Sequence, residues 1–320
     1  MESLLVTGGA GFIGSHLTDK LIKKGFEVYI IDNLSSGSLK NIKSALEEGS
    51  VKFIEGDLLN FEETAEAVKN CDVIYHLAAN PEVRVGASNP KIHYKQNIAA
   101  TFNLLEAMRK VGKVKALAFT STSTVYGEAS TMPTPEDYAP LKPISTYGAS
   151  KLACEALISA YAYTYGFEAV IFRLANIVGP RSTHGVIYDF IQKLVRNPTE
   201  LEVLGDGRQN KSYLYIDDCI EALTLGFDRF REHVEVLNVG SEGQIEVRDI
   251  ARIVIEEMGL KNVKIKYTGG VDGGRGWKGD VKNMLLDISR IKSLGWRPKY
   301  SCEEAVRVTS KELIKELKIH

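Results

Sequence analysis

Thr7-Gly8-Gly9-Ala10-Gly11-Phe12-Ile13-Gly14 decides how the rest of this 320-residue chain is read. The apolar run Leu4-Leu5-Val6 leads into it, and the amphipathic segment 16–24 leads out before Gly25. That order predicts strand, glycine turn, helix. Glycines at 8, 11 and 14 let the backbone turn tightly, approach a pyrophosphate without Cβ clashes, and bring helix and strand close. The helix start, where Phe12 and Ile13 sit, offers unpaired N–H groups and partial positive charge to phosphates. A generic tight βα turn would use the same residues, so the context has to decide. The next strand, 27–31, ends in Asp32, about twenty residues past the turn, where an acid can bond a ribose 2′-hydroxyl. A carboxylate there repels a 2′-phosphate, so the expected dinucleotide is NAD rather than NADP.

The bulk numbers fit an ordinary globular protein: 44% hydrophobic, 25% charged, and a net charge of −1. Such a balance gives no electrostatic reason to expect nucleic acid or an anionic membrane as partner. Any anionic ligand must then be held by local positive groups. Cys71, Cys154, Cys219 and Cys302 are scattered without a CxxC pair, so neither a metal site nor a disulfide framework is suggested. The chain enters its first strand at once and has no eighteen-residue apolar run. A cytoplasmic location is the expectation.

Strands and helices alternate through residue 174, predicting an α/β fold with a doubly wound, Rossmann-type parallel sheet. Asp57, after the strand 51–54, could cap the next helix or reach the adenine amine, and the two roles are compatible. Ala78 and Ala79 end the fourth strand; small residues there suit either a nicotinamide ribose or a tight helix–sheet contact. His76, on the same apolar strand, reads as a core histidine. A long helix is predicted over 89–111. The fifth strand ends in five hydroxyl residues, Thr120 to Thr124, and a helix opens near Ser145 with Tyr147 and Lys151 on one face. Beyond Asn176 the rhythm changes, and residues 179–320 read as a smaller mixed α/β domain over the mouth of the sheet. Elements near 213–240 are expected to return to the first domain, residues 1–178.

The Tyr147–Lys151 spacing gains meaning from its neighbours. A free phenol, pKa about 10, is a poor base near neutrality, and lowering it by roughly three units needs about 4 kcal/mol of differential stabilisation. A lysine ammonium on the same helical face and a positive nicotinamide could supply this in a partly desolvated site. Such a phenolate can take a proton from a substrate hydroxyl while hydride leaves the same carbon for NAD. The strand-end hydroxyl assigned here, Thr122, would bond the substrate oxygen as it becomes a carbonyl.

These residues, with Arg173-Leu174-Ala175-Asn176, resemble the extended short-chain dehydrogenase/reductases, and within them the NAD-dependent UDP-glucose 4-epimerase family. Gly205-Asp206-Gly207, Tyr215-Ile216-Asp217 and Leu294-Gly295-Trp296 extend the similarity over nearly the whole chain. The resemblance implies a tightly held NAD that is not consumed. Gly8, Gly11 and Gly14 would face its pyrophosphate, Asp32 and Asn33 the adenosine ribose, Asp57 and Leu58 the adenine, and Ala78, Ala79 and Lys151 the nicotinamide half. Tyr147 would be the base, Thr122 its hydroxyl partner, and Asn176 a contact to a UDP-sugar. A homodimer through the helices near 89–111 and 145–165 is also implied.

Several positions depart from that pattern. Lys211-Ser212 stands where the family often has an arginine followed by an acid, leaving Arg181, Arg208 and Arg275 as candidate diphosphate anchors, Arg275 first. Ser123-Thr124 stands where the related 4,6-dehydratases carry Asp-Glu, which argues against dehydration. Met284 falls where the resemblance places a size gate, disfavouring N-acetylhexosamines. The expectation is a UDP-hexose 4-epimerase, glucose/galactose first. Its rivals are another NAD-dependent sugar-nucleotide enzyme, such as a uronate 4-epimerase or decarboxylase, and a non-catalytic NAD-sensing module.

Overall fold

Leu4, Leu5 and Val6 are buried at the centre of the sheet that the opening stretch predicts. The computed structural model describes residues 2–319. Its first half runs β1 (Ser3–Thr7), α1 (Phe12–Lys23), β2 (Glu27–Asp32), α2 (Lys43–Glu47), β3 (Val51–Glu55), α3 (Phe61–Val68) and β4 (Val73–His76). It continues with α4 (Lys91–His93), α5 (Ala100–Val111), β5 (Ala116–Thr122), α6 (Thr146–Tyr165) and β6 (Glu168–Leu174). The second half holds β7 (Asn176–Val178), α7 (Val186–Arg196), β8 (Glu200–Val203), β9 (Asn210–Lys211), β10 (Tyr213–Tyr215), α8 (Ile216–Arg229) and β11 (Val234–Val239). It ends with β12 (Ile245–Glu246), α9 (Val247–Glu257), β13 (Lys264–Tyr267), β14 (Asn283–Met284), α10 (Ser289–Ser293) and α11 (Cys302–Glu316).

Seven strands form one parallel sheet in the order β11-β6-β5-β4-β1-β2-β3. The chain therefore winds outward in both directions from β1, and the order reverses between β1 and β4. At such a switch point the connections diverge to opposite faces and leave a crevice beyond the strand ends, where open α/β sheets take ligands. Residues alternate sides along each strand. Leu4 and Val6 thus join one core, which runs on into the second half, while Leu5 joins the other, under α3, α5 and α6. Burial on both faces is why β1 reads as an unbroken apolar run.

The second half adds short ladders: β7 with β10, β8 with β13, and β9 between β12 and β14. Helices α7, α9 and α11 pack against one another beside them. Two local expectations are corrected. The predicted 89–111 helix is α4 and α5 joined by a π-helical turn, Tyr94–Ala99. The turn presents Asn97 inward, where its Oδ1 accepts from Asn80 N–H at 2.8 Å and its Nδ2 donates to Ser150 Oγ at 2.8 Å. Such bulges inside helices gather at functional sites. The second correction concerns Asp57, because α3 is capped by Asn60, whose Oδ1 accepts from the N–H groups of Glu62 and Glu63.

Candidate active site

The glycine turn can be tested against a dinucleotide by asking what a side chain would meet. A Cβ on Gly14 would lie 2.1 Å from the Gly8 carbonyl oxygen, so helix and turn are too close for any other residue. Gly8 has φ +69°, and its Cβ would fall 2.9 Å from the Ala78 backbone. The turn thus lies against the Ala78 backbone, at the switch point between β1 and β4. Gly11 is the N-cap of α1 and makes no side-chain cap, so the first-turn N–H groups face outward without an intrahelical partner. A phosphate fits there without further adjustment.

Asp32 is buried at the end of β2. Its Oδ2 accepts from Ala10 N–H at 3.0 Å and its Oδ1 from Leu34 N–H at 2.8 Å. Burial raises its carboxyl above the ordinary range, and the two N–H donors oppose the rise. Asn33 donates to Asp57 Oδ2 at 3.0 Å, so these two residues form one polar rim, and Asp57 Oδ1 also holds Leu59 N–H. Gly8, Gly11, Phe12, Ile13, Gly14, Asp32, Asn33, Asp57, Leu58, Ala78 and Ala79 all line one cavity of about 480 Å³. His76 lies beneath it, fully buried between the Thr7 and Thr101 hydroxyls at 2.8 Å each, and burial holds its imidazole down to about 3.

Thr122, Tyr147, Lys151 and Asn176 line the same cavity. Ser145 caps α6 by accepting from Gly148 N–H at 3.0 Å, which fixes Tyr147 in the first turn. Ser150 Oγ donates to the Tyr147 carbonyl at 2.7 Å while it accepts from Asn97, tying that turn to the π-helical segment. The His93 ring stands against the Tyr147 ring with centroids 5.7 Å apart. Lys151 is 2% exposed, with Nζ 4.1 Å from the centre of the Phe119 ring. Burial pushes its ammonium down to about 8, opposed by its neighbours Cys154 and Glu155.

The phenol departs from expectation. Burial pushes Tyr147 up to about 12, and the hydrogen bond from Thr122 only partly opposes this. The protein alone thus holds the phenol neutral, because desolvation outweighs every stabilising contact it provides. Thr122 Oγ1 accepts from Thr124 N–H at 3.2 Å and caps the short turn Ser123–Tyr126. The hydroxyl run is thereby divided among tasks: Thr120 bonds the His76 carbonyl, Ser121 the Glu155 carboxylate, and Thr124 the Thr122 hydroxyl.

The arginines separate. Arg181 lines the cavity, paired through Nη2 with Asp19 at 2.8 Å, and its buried Nη1 has no partner among the described residues. Arg208 is exposed and Arg275 pairs with Glu128 at 2.9 Å; neither is among the cavity-lining residues. Arg275 is drawn off because its glycine loop turns back along residues 271–275 and Glu128 neutralises it. Lys211 lines the cavity instead, 15% exposed and 2.5 Å from Asp280. Trp277, which nothing in its local sequence marks, stands between Lys211 and Arg84, its ring centre 5.7 and 5.6 Å from them. Its indole N–H is buried without a partner among the described residues, as is Gln209 Oε1 on the same wall. Orphaned donors and acceptors facing a cavity are what a polar ligand satisfies.

Comparisons with known proteins identify the family. The family model described as GDP-mannose 4,6 dehydratase matches residues 5–309. A protein of Methanocaldococcus jannaschii named as a putative UDP-glucose 4-epimerase is 34% identical over 311 residues, covering 95% of this chain and 96% of its own. The crystal structure of a UDP-galactose 4-epimerase is 44% identical and superposes with a TM-score of 0.88 over 98% of this chain and 99% of its own. A UDP-glucuronic acid 4-epimerase from Bacillus cereus, solved with UDP-glucuronic acid and NAD, is 32% identical, with a TM-score of 0.88 and coverage of 98% and 99%. By sequence and by structure, this chain belongs to the NAD-dependent sugar-nucleotide epimerases and dehydratases of the extended short-chain dehydrogenase/reductase family.

Proposed function

We propose that the protein is a UDP-hexose 4-epimerase interconverting UDP-glucose and UDP-galactose. The observation that carries this reading is the meeting of Tyr147, Lys151 and Thr122 in the cavity that begins at the glycine turn, with hydroxyls rather than carboxylates at positions 123 and 124. A dehydratase needs an acid and a base beside the C5 proton and the leaving hydroxyl, and Ser123 and Thr124 offer neither.

When bound, NAD supplies the hydride acceptor for sugar C4 and, on its nicotinamide, positive charge that favours a phenolate. The chain's own residues do the remainder. Tyr147 Oη takes the proton of the sugar 4-hydroxyl, and Lys151 below pH 8 holds that oxygen's charge. Thr122 Oγ1 donates to the sugar oxygen as it becomes a carbonyl. The 4-keto sugar then turns within the pocket, and Tyr147 returns its proton when hydride comes back to the opposite face. Reorientation requires the nucleotide to stay fixed and water to stay out. Arg181, Lys211 and the Trp277 N–H would hold the diphosphate, and Asn176 would touch the sugar nucleotide.

A neutral hexose is favoured over a uronate by the charges on the wall. Arg84 is already paired with Glu82 at 3.0 Å and with Asp189 at 3.5 Å, and Lys211 with Asp280. At Arg84 or Lys211 a substrate carboxylate would have to displace one of these partners. Met284, 7% exposed, lines the same cavity, and a bulky side chain there disfavours an N-acetyl group. The test is NMR of UDP-glucose, UDP-galactose, their N-acetyl forms and UDP-glucuronate incubated with the protein. Epimerisation of the two neutral hexoses at least tenfold faster than the others is expected, about 1.4 kcal/mol of discrimination; preference for the uronate would overturn the substrate assignment.

A further inference from the structure

Glu155 and Arg173 form an ion pair at 2.8 Å in which each side chain is only 6% exposed. The Arg173 Nε also reaches both carboxylate oxygens, at 3.1 and 3.2 Å, and Ser121 Oγ donates to the same carboxylate. On its far side Arg173 Nη1 donates to Tyr126 Oη at 3.0 Å and to the Glu136 carbonyl at 2.9 Å. Tyr126 Oη donates onward to Asn238 Oδ1 at 2.7 Å, and Asn238 Nδ2 donates to the carbonyls of Thr134 and Asp287 at 2.9 and 3.0 Å. The chemistry proposed above uses none of these groups.

A buried ion pair is no better for stability than apolar residues of the same volume, so its use lies in what it holds in place. Here the joined parts are informative. Ser121 directly precedes Thr122 on β5. Glu155 lies one helical turn beyond Lys151 and two beyond Tyr147, on the same side of α6. The far end of the network grips the stretch that follows Met284, where Thr134 and Leu286 form a bridge. We infer that Glu155, clasped by Arg173 and Ser121, is a positioning residue for the acid–base site. It fixes the spacing between the Thr122 hydroxyl and the Tyr147–Lys151 face, and through Arg173 and Asn238 it couples that spacing to the substrate wall.

Glu155 also acts on Lys151 through charge. The groups around that ammonium are Tyr147, Cys154 and Glu155 on its own helix, the Phe119 ring from β5, and neutral His76 from β4. Of the two charges in the ion pair, Glu155 is the one that supports the protonated lysine. The inference rests on the reading of Tyr147 and Lys151 as the acid–base pair.

The test compares the NAD-loaded variants Glu155→Gln, Arg173→Met and the charge-neutral double variant. Glu155→Gln should lower kcat by roughly tenfold or more with KM and NAD content unchanged, the pattern of lost transition-state positioning. It should also move the alkaline limb of the kcat profile to lower pH, by about half a unit or more. Arg173→Met breaks the same pair but keeps the carboxylate, so kcat should fall without that downward move. The double variant, free of an uncompensated buried charge, should fold and bind NAD yet remain slow. Identical pH profiles for the two single variants, or full activity in the double variant, would overturn the inference. Full activity of Tyr147→Phe, measured alongside, would instead remove the reading beneath it.

Discussion

Tyr147 and Lys151 stand one turn apart on the same face of α6, and burial moves both toward their uncharged forms, the phenol up to about 12 and the ammonium down to about 8. Below pH 8 Lys151 is still an ammonium, so it is the phenolate, the other half of what proton abstraction requires, that the protein alone withholds. What binds in the cavity must shift the balance.

One consequence concerns stability. An ammonium depressed from 10.5 to about 8 on folding binds fewer protons in the folded than in the unfolded state between those values. Stability must then rise with pH through that window, and at pH 7 the charged Lys151 is a cost. Lys151→Met should stabilise the NAD-free protein at pH 7 by on the order of 2–3 kcal/mol while removing activity. Urea unfolding at pH 7 and pH 10.5 checks this: the gain should shrink at the higher pH, and a loss of stability at pH 7 would contradict it.

Tyr147→Phe keeps the ring against His93 and removes only the hydroxyl. Turnover should fall by about 10²–10⁴, the range for loss of a positioned general base, while the NAD content stays at the wild-type level. Steady-state kinetics together with the absorbance of bound nucleotide separate the two effects.

The glycine turn offers a graded test. A methyl at Gly14 meets the Gly8 carbonyl oxygen at 2.1 Å, whereas one at Gly11 meets it at 3.1 Å. Gly14→Ala should cost at least about 2–4 kcal/mol and lose NAD, because helix and turn must separate. Gly11→Ala should lose less of either. Thermal melts and NAD retention after gel filtration give the ranking, and the reverse order would count against the described turn.

Trp277 is testable with little background. The chain has two tryptophans, and Trp296 is buried with its N–H given to the Asp218 carbonyl at 3.0 Å. In a Trp296→Phe background, UDP should change Trp277 fluorescence. Trp277→Phe should raise KM for the sugar nucleotide by about three- to tenfold with kcat retained, as expected for one lost hydrogen bond. An unchanged KM would place the indole outside the ligand's reach.

How much of this was legible in the sequence depended on distance along the chain. The glycine turn, Asp32 and the Tyr147–Lys151 face are written within one or two elements, where the periods of strand and helix reveal them. The cavity wall is not local. Arg84, Asp189, Lys211 and Trp277 come from four separate segments, and only folding makes them neighbours. Arg275 looked like an anchor because its glycine-rich loop allows many paths, and Glu128, far off in sequence, decides which one it takes. The Glu155–Arg173 pair was hidden for a similar reason, since a helix and the following strand conceal which polar residues face each other. The π-helical turn had no signal at all in its composition; the inward pull of Asn80 and Ser150 on Asn97 goes with it.

The account turns on a hydride that leaves sugar C4 and returns to the same carbon inside one pocket. UDP-glucose carrying deuterium at C4, incubated with the NAD-loaded protein and followed by NMR, tests this directly. UDP-galactose retaining the deuterium at C4, with no build-up of free NADH, is the predicted result. Loss of the label to solvent, or NADH released in step with product, would contradict it.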